Sequence, residues 1–473
     1  MREIPEEFLR RMRALPDFDY AAFEQALLYG EGRRGLRVNT LKLSRDEFAA
    51  QSPFALEPSP LCPEGFLLPP DSGAGKHPYH AAGLYYLQEP SAQSVVTALD
   101  PQPGMRILDL CAAPGGKSTH AAARLGDTGL LIANECVPAR AQILMHNLER
   151  MGARRYAVTQ AMPEAFTRDF AGWFDAVLAD VPCSGEGMFR REPAAVREWT
   201  PAAAAACATR GRKILAAAAN LVRPGGYLLY STCTYHPDEN EGAVERLLRE
   251  RPDFELVPID AVRLPPARPD WVLAHPEQDA RGVRDELALA ARLMLTDTPG
   301  EGHFLARLRR RDGDVPGQPP AAPYRALTKP EAAVFTAFWR DTFSAAPRFE
   351  PRATPRGDVY LVPDGLPACP SVLCPGVRVG TLCPGRALRF EPSHTLFMAA
   401  PAAELCRVLP LEPADPTLSA FFAGEEIPCA LPTGYTAVCV TLGGSAFPVG
   451  FGKVSGGRLK NKLPTGLRTR FIT

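Results

Sequence analysis

The sequence predicts an α/β fold around a mostly parallel sheet, on three observations. Short hydrophobic runs alternate with helical stretches from residue 88 to about 311, the βαβ repetition that winds a parallel sheet. A strand-like run, a glycine-bearing turn and a helix follow one another over residues 105–125. Two later strand-like runs each end beside a cysteine, Cys183 and Cys233, and the carboxyl ends of strands are where open α/β sheets bind ligands.

Residues 1–87 open with an amphipathic stretch (Phe8, Leu9, Met12, Leu15) and continue through LRVNTLKL to a Pro-rich segment, which reads as a small α/β domain. The core, residues 88–311, begins its sheet at Met105–Leu110. The turn Cys111-Ala112-Ala113-Pro114-Gly115-Gly116-Lys117-Ser118 follows, then a helix over Thr119–Leu125. This arrangement lets backbone approach a nucleotide-like ligand at a helix N-terminus. Its glycine spacing is neither GxGxxG nor GxxxxGK[ST], which argues against dinucleotide and P-loop sites. The next run, Leu130–Asn134, closes on Glu135, placed to accept hydrogen bonds from ribose hydroxyls. Together these read as an adenosine-type site without a pyrophosphate clamp, which suits S-adenosylmethionine.

A third strand, Arg155–Thr159, leads to Gln160-Ala161-Met162-Pro163. A fourth, Phe174–Ala179, leads to Asp180-Val181-Pro182-Cys183-Ser184, and a fifth, Gly226–Tyr230, to Ser231-Thr232-Cys233-Thr234. Helices are expected over Pro138–Met151, Pro201–Val222 and Asp238–Glu250, and Gly302–Arg310 alternates like a last strand. The Pro- and Gly-rich stretch 312–323 reads as a linker. Residues 324–400 form a small domain of unassigned fold, and 401–473 carry short β-type runs such as Tyr435–Leu442.

A free cysteine is usually buried and inert, but two thiols at strand ends beside Asp180 point to covalent chemistry. Carbon 5 of cytosine is too poor a nucleophile to take a methyl group unaided. Thiolate attack at C6 makes C5 nucleophilic, and protonation or hydrogen bonding at N3 eases that attack. Either cysteine could attack on chemistry alone. The Asp-Pro-Cys order differs from the (D/N)PPY of amino-group methyltransferases, which need no thiol.

The motifs CAAPGGKS (111–118), Glu135, DVPCSGEGM (180–188) and STCT (231–234) followed by Glu239-Asn240-Glu241 resemble the Nop/Sun (NSUN) family. Its members are S-adenosylmethionine-dependent RNA (cytosine-5) methyltransferases. LRVNT (36–40) and QEPSA (88–92) also match, and the tail from Gly450 to Arg468 is similar to the RsmF-like branch, which modifies 16S ribosomal RNA. The resemblance implies a class I (Rossmann-like) methyltransferase core with a C-terminal PUA-like RNA-binding module over 401–473, and makes 324–400 an RsmF-like middle domain. It implies Cys233 as nucleophile, Cys183 in product release, and Asp180 near cytosine N3 and the cofactor. It further implies cofactor contacts from Cys111, Ala112, Ala113, Pro114, Gly115, Gly116, Lys117, Glu135 and Asp180, with Lys117 ordering the turn or touching the cofactor. Where relatives often carry an aspartate near the adenine, this chain has Gln160–Pro163. Transfer RNA as substrate, and a catalytically idle RNA-binding or ribosome-assembly factor, are the alternatives.

The N-terminus lacks an apolar signal core and no run has membrane-span length, so a cytoplasmic protein without a membrane partner is expected, by default a monomer. Twelve scattered cysteines fit reduced thiols. Cys369, Cys374 and Cys383 lack paired CxxC spacing, and no metal is expected. The 53 basic and 53 acidic residues balance, so RNA contact depends on local clusters. Three are candidates for phosphate contact: Arg190, Arg191 and Arg197; Arg307, Arg309, Arg310 and Arg311; and Lys453, Arg458, Lys460, Lys462, Arg468 and Arg470. The expected partner is 16S rRNA or the 30S subunit.

Overall fold

The computed structural model describes residues 4–273, 285–314, 317–322 and 324–468. Arg470 and part of the 312–323 segment lie outside the described residues. The central strands are β1 (Arg106–Asp109), β2 (Leu130–Asn134), β3 (Tyr156–Thr159), β4 (Phe174–Asp180), β5 (Val222–Thr232), β6 (Phe254–Leu256) and β7 (His303–Arg310). Four helices matter for the site: α1 (Gly116–Leu125), α2 (Pro138–Met151), α3 (Pro201–Leu221) and α4 (Glu241–Glu250).

The sheet runs β3-β2-β1-β4-β5-β7-β6. Strands β1 to β5 pair in parallel, and β7 lies antiparallel to both β5 and β6. Alternate strand residues feed two separate cores, as period-two side chains must. Leu108, Ile132, Val177 and Leu228 meet Ile214, Leu215 and Val244 on one face. Ile107, Leu131, Val158 and Leu178 meet Val95, Ala121 and Leu144 on the other. A sheet covered on both faces explains why its strands read as continuous apolar runs. The order reverses between β1 and β4, and a crevice opens at such a switch point.

Two expected helices start elsewhere. The first begins at Gly116 rather than Thr119, so Lys117 sits on its first turn, and α4 begins at Glu241 rather than Asp238. Asp238 and Glu239 are instead in the turn before it, where His236 O accepts from Glu239 N.

The N-terminal segment packs in two directions. Helices Glu6–Arg13 and Tyr20–Tyr29 set Phe8, Met12, Phe23 and Leu27 against Phe189, Trp199, Tyr235 and Trp271 of the core. The antiparallel sheet of Glu57–Pro58, Gly65–Leu68, Arg34–Val38 and Tyr85–Leu87 shares its core with the last module. There Leu36, Phe48, Phe66 and Tyr85 cluster with Phe421, Val438, Val440 and Leu459.

Residues 325–392 form a five-stranded antiparallel sheet covered by the helix Lys329–Thr342. Its neighbour Val372–Cys374 adds to the core sheet at β3. The last module is a second five-stranded sheet built on Gly434–Leu442 and Ser445–Ser455. Among the described residues, no helix is long and apolar enough to cross a membrane.

Arg37 and Asn39 of LRVNT are wholly buried struts. Arg37 donates to Gln88 Oε1 at 3.0 Å, Thr119 Oγ1 at 2.9 Å and Gly116 O at 3.1 Å, joining the N-terminal sheet to the first turns of α1. Asn39 Nδ2 bridges Gly83 O and Met151 O, each at 2.7 Å. Removing a charged donor from three buried acceptors leaves them unsatisfied. Arg37→Ala is therefore expected to lower unfolding stability by roughly 2–4 kcal/mol, read as a reduced urea midpoint.

Candidate active site

The loops after β1 and β4 meet at the switch point. Lys117 Nζ donates to Asp180 Oδ2 at 2.6 Å, and Ser231 Oγ donates to Oδ1 at 2.7 Å. Burial works to raise the Asp180 carboxyl, but the Lys117 charge and these hydrogen bonds outweigh it and hold it below its ordinary value. Burial also disfavours the Lys117 ammonium, and Asp180 overcomes that, so its pKa is raised. The pair is ionised near neutral pH. An ionised carboxylate can only accept, which suits an amino group or a ring nitrogen that has gained a proton. Lys117 supplies the donor.

Cys183 Sγ and Cys233 Sγ lie 3.3 Å apart, and Cys233 N–H points at Cys183 Sγ at 3.3 Å. Hydrogen bonding with Cys233, then burial, raises the Cys183 thiol well above its ordinary value. Cys183 stays protonated and is the poorer nucleophile, with its S–H available to the Cys233 sulfur.

The surrounding turn is tightly held. Gly187 N donates to Cys233 O at 2.9 Å, Ser184 N donates to Glu239 Oε2 at 2.9 Å, and Ser184 Oγ meets Thr234 Oγ1 at 2.6 Å. Glu186 is fully buried and accepts from Arg11 Nη2 at 2.6 Å and Trp199 Nε1 at 3.0 Å. The first helix of the chain thus clamps the loop that carries Cys183.

On the other side of Lys117, α1 has no side-chain cap and follows Gly115 at φ 110°, leaving its first N–H groups to a ligand. Arg140 Nη2 donates to Ala113 O at 2.8 Å and Asn147 Nδ2 to Pro114 O at 2.9 Å, fixing the turn. Glu135 is buried at the end of β2, with Oε1 accepting from Val137 N at 2.9 Å and Oε2 3.4 Å from Arg140. Asp109 Oδ2 accepts from Ser118 Oγ at 2.6 Å, while its buried Oδ1 has no partner among the described residues. Burial raises the Asp109 carboxyl to about 7. The Cys111 thiol is raised well above its ordinary value by burial, then by Asp109, Asp180 and Glu135. Three carboxylates around an open helix N-terminus fit a ligand with hydroxyls and a positive charge, as in the nucleoside sulfonium S-adenosylmethionine, which supplies an electrophilic methyl group. Met162, 61% exposed just past the end of β3, stands where the sequence lacks an acid.

Cys111–Lys117, Glu135, Asp180, Cys183 and Cys233 therefore gather at the carboxyl ends of β1, β2, β4 and β5. Asp109, Glu186, Glu239 and Arg37 belong to the same assembly, although the sequence reading gave them no role in the site. Asp109 ends a strand and was legible in principle, whereas the others depend on partners distant along the chain.

Two basic clusters are partly engaged within the protein itself. Arg190 is buried and bonds Glu301 at 3.1 Å and Gly300 O at 3.0 Å, so it is a strut rather than a phosphate ligand. Arg307–Arg311 lie toward the far end of β7, because that strand runs antiparallel to β5. Seven residues beyond His303, Arg310 is displaced by about 23 Å, and it pairs with Asp253 at 3.0 Å. In the third cluster Lys462 pairs with Glu391 at 2.7 Å, while Lys460 is exposed. Cys369, Cys374 and Cys383 donate to three separate carbonyls. Cys62, Glu64 and His120 bring ligand atoms within 4.8 Å of one another, but Arg124 pairs with Glu64 at 3.0 Å, the arrangement of a buried polar network.

The strand order, the open turn after β1 and the acid after β2 define a class I, S-adenosylmethionine-dependent methyltransferase. Residues 96–281 match the family described as 16S rRNA methyltransferase RsmB/F, residues 4–90 the N-terminal domain of 16S rRNA methyltransferase RsmF, and residues 408–469 the methyltransferase RsmF PUA domain. The chain belongs to this family, in its RsmF branch. It is 32% identical to the ribosomal RNA small subunit methyltransferase F of Salmonella typhi, covering 98% of this chain and 96% of that one. A 41% identical match to the protein of the same description from Enterobacter sp. (strain 638) covers 54% of this chain and 56% of that one. Among solved structures, a methyltransferase homolog protein from Pyrococcus horikoshii aligns with a TM-score of 0.56 at 28% identity, covering 65% of this chain and 96% of that one.

A Cβ on Gly187 would lie 2.5 Å from Gly302 O and 2.8 Å from Cys233 O. Gly187→Ala should therefore displace Cys233 and lower kcat by about 10- to 100-fold, with cofactor affinity by calorimetry unchanged. Burial, then Glu186, raises the Glu239 carboxyl from 4.5 to about 8. The folded state then binds more protons than the unfolded one between those values, so stability falls as pH rises through that window. Glu239→Gln is expected to flatten this decline, leaving the variant with the higher urea midpoint at pH 9.

Proposed function

We propose that the protein methylates C5 of a cytosine in 16S ribosomal RNA through a covalent bond between Cys233 and C6. The observation that carries this reading is the 3.3 Å approach of two free thiols beside an ionised Asp180–Lys117 pair. The target base is turned out of its stack to reach the crevice. Asp180 accepts from its N4 amino group and holds the base in place, while the Lys117 ammonium donates its hydrogen bond to N3. The donation at N3 draws electrons from the ring and exposes C6 to the Cys233 sulfur. The turn 111–117 and Glu135 hold the cofactor, and S-adenosylmethionine supplies the methyl group. Cys183, kept protonated, offers its S–H to the Cys233 sulfur as the C6–S bond breaks and the product leaves.

All twelve cysteines are free, which suits a reducing cytoplasm, and a monomer acting on 16S rRNA or the 30S subunit is the working form. The module over 401–473, with Lys453 and Lys460, is assigned to RNA contact.

A denaturing gel tests the thiol roles. Full-length wild type, Cys183→Ala and Cys233→Ala are incubated with cofactor and either 16S RNA or 30S subunits. The expected result is a covalent RNA adduct that accumulates in Cys183→Ala, with neither adduct nor methylation in Cys233→Ala. An adduct that survives in Cys233→Ala and vanishes in Cys183→Ala would reverse the assignment.

A further inference from the structure

One buried imidazole beside Asp180 has no role in the chemistry above. His303 opens β7, and the register that pairs Phe304 with Thr232 sets it next to Cys233. It is 4% exposed. Its Nδ1 lies 3.3 Å from Ser91 Oγ, which itself bonds Glu89 Oε2. Glu89 Oε2 also accepts from Ala92 N at 2.9 Å, and Oε1 from Glu301 N at 2.7 Å. An acceptor-only carboxylate takes the Ser91 hydroxyl proton, so the Ser91 oxygen must accept from His303. That fixes the tautomer: Nδ1 carries the hydrogen and Nε2 a lone pair. Among the described residues, Nε2 has no hydrogen-bond partner, and it lies 4.0 Å from Asp180 Oδ1. Two acceptors facing one another across that gap leave a place that a proton on Nε2 would fill.

We propose that His303 Nε2 is the base that removes the C5 proton after methyl transfer. The inference rests on the reading in which Cys233 has added to C6. The methylated ring carries both hydrogen and methyl on C5. As Nε2 takes the proton, the C5–H electron pair forms the C5=C6 double bond. The C6–S pair leaves with Cys233 as thiolate, beside the Cys183 S–H. The imidazolium so formed faces the Asp180 carboxylate and keeps its Nδ1–H on Ser91 and Glu89, then returns its proton to water. Burial, followed by the Lys117 charge, holds the free imidazole down to about 4, so Nε2 is unprotonated when the base arrives. The charged groups that face it are Lys117 from α1, Asp180 from β4 and Glu89 from the turn before residue 90.

The two halves of the reaction can be followed separately with full-length protein. The RNA is a 16S transcript tritiated at cytosine C5, and the cofactor carries a carbon-14 methyl group. In a single turnover, His303→Gln should transfer its methyl group at close to the wild-type rate. Release of tritium should be about 100-fold slower or more, with the adduct persisting on a denaturing gel. His303→Phe, which also lacks a basic nitrogen, should behave alike and stands in if the glutamine variant does not bind cofactor. Tritium release that keeps pace with methyl transfer in either folded variant overturns the proposal. So does equal slowing of both, which would place His303 at an earlier step. Cys233→Ala separates this from the parent reading: tritium release without that thiol would sink the covalent route whatever His303 does.

Discussion

The ion pair between Lys117 and Asp180 is the constraint on which the site depends. It joins the first turn of α1 to the end of β4, the two elements that flank the topological switch. A buried ion pair gains little net stability, because desolvating both charges offsets most of their attraction. Its value here is positional. It keeps a carboxylate ionised inside the protein, sets a cation beside it, and orients both toward the cysteines that end β4 and β5. The negative field around Cys111 and the protonated state of Cys183 belong to the same arrangement. One side of the crevice favours a cationic donor and the other a thiol kept neutral beside its neighbour.

Much of this was legible in the sequence because it is local. CAAPGGKS follows a strand and opens a helix, and Cys183 and Cys233 each follow the run that positions them. Such placement requires only that strands end where hydrophobic runs end. The helix starts moved by three residues, and the reason is chemical. Gly115 can take the positive φ that starts α1 early, and the Glu239 carboxylate is engaged with Ser184, in the turn before α4.

What was not legible depends on partners far along the chain. Glu186 reads as one more acid in a polar loop until Arg11 and Trp199 are seen to enclose it. Arg190 looks like a phosphate ligand until Glu301 is placed beside it. The arginines of Arg307–Arg311 share a short stretch of sequence, but sheet direction carries them away from the crevice. His303 was hidden in a strand pattern. Its significance comes from strand register and from a tautomer that two other residues impose.

The clamp of Arg11 on Glu186 also bears on the order in which the chain becomes a working enzyme. The two N-terminal helices are synthesised well before the core residues they pack against. Phe8, Met12 and Phe23 wait for Phe189, Trp199, Tyr235 and Trp271, and the sheet around Leu36 and Phe66 waits for Phe421 and Val440. The hydrogen bond from Tyr79 to Thr441 O closes a separation of 362 residues. Contacts of such range form late and leave apolar surface exposed during synthesis. The N-terminal sheet therefore completes its core only when residues beyond 420 have been made. An early-terminated chain would keep the cofactor turn and lack the partners that cover the N-terminal sheet.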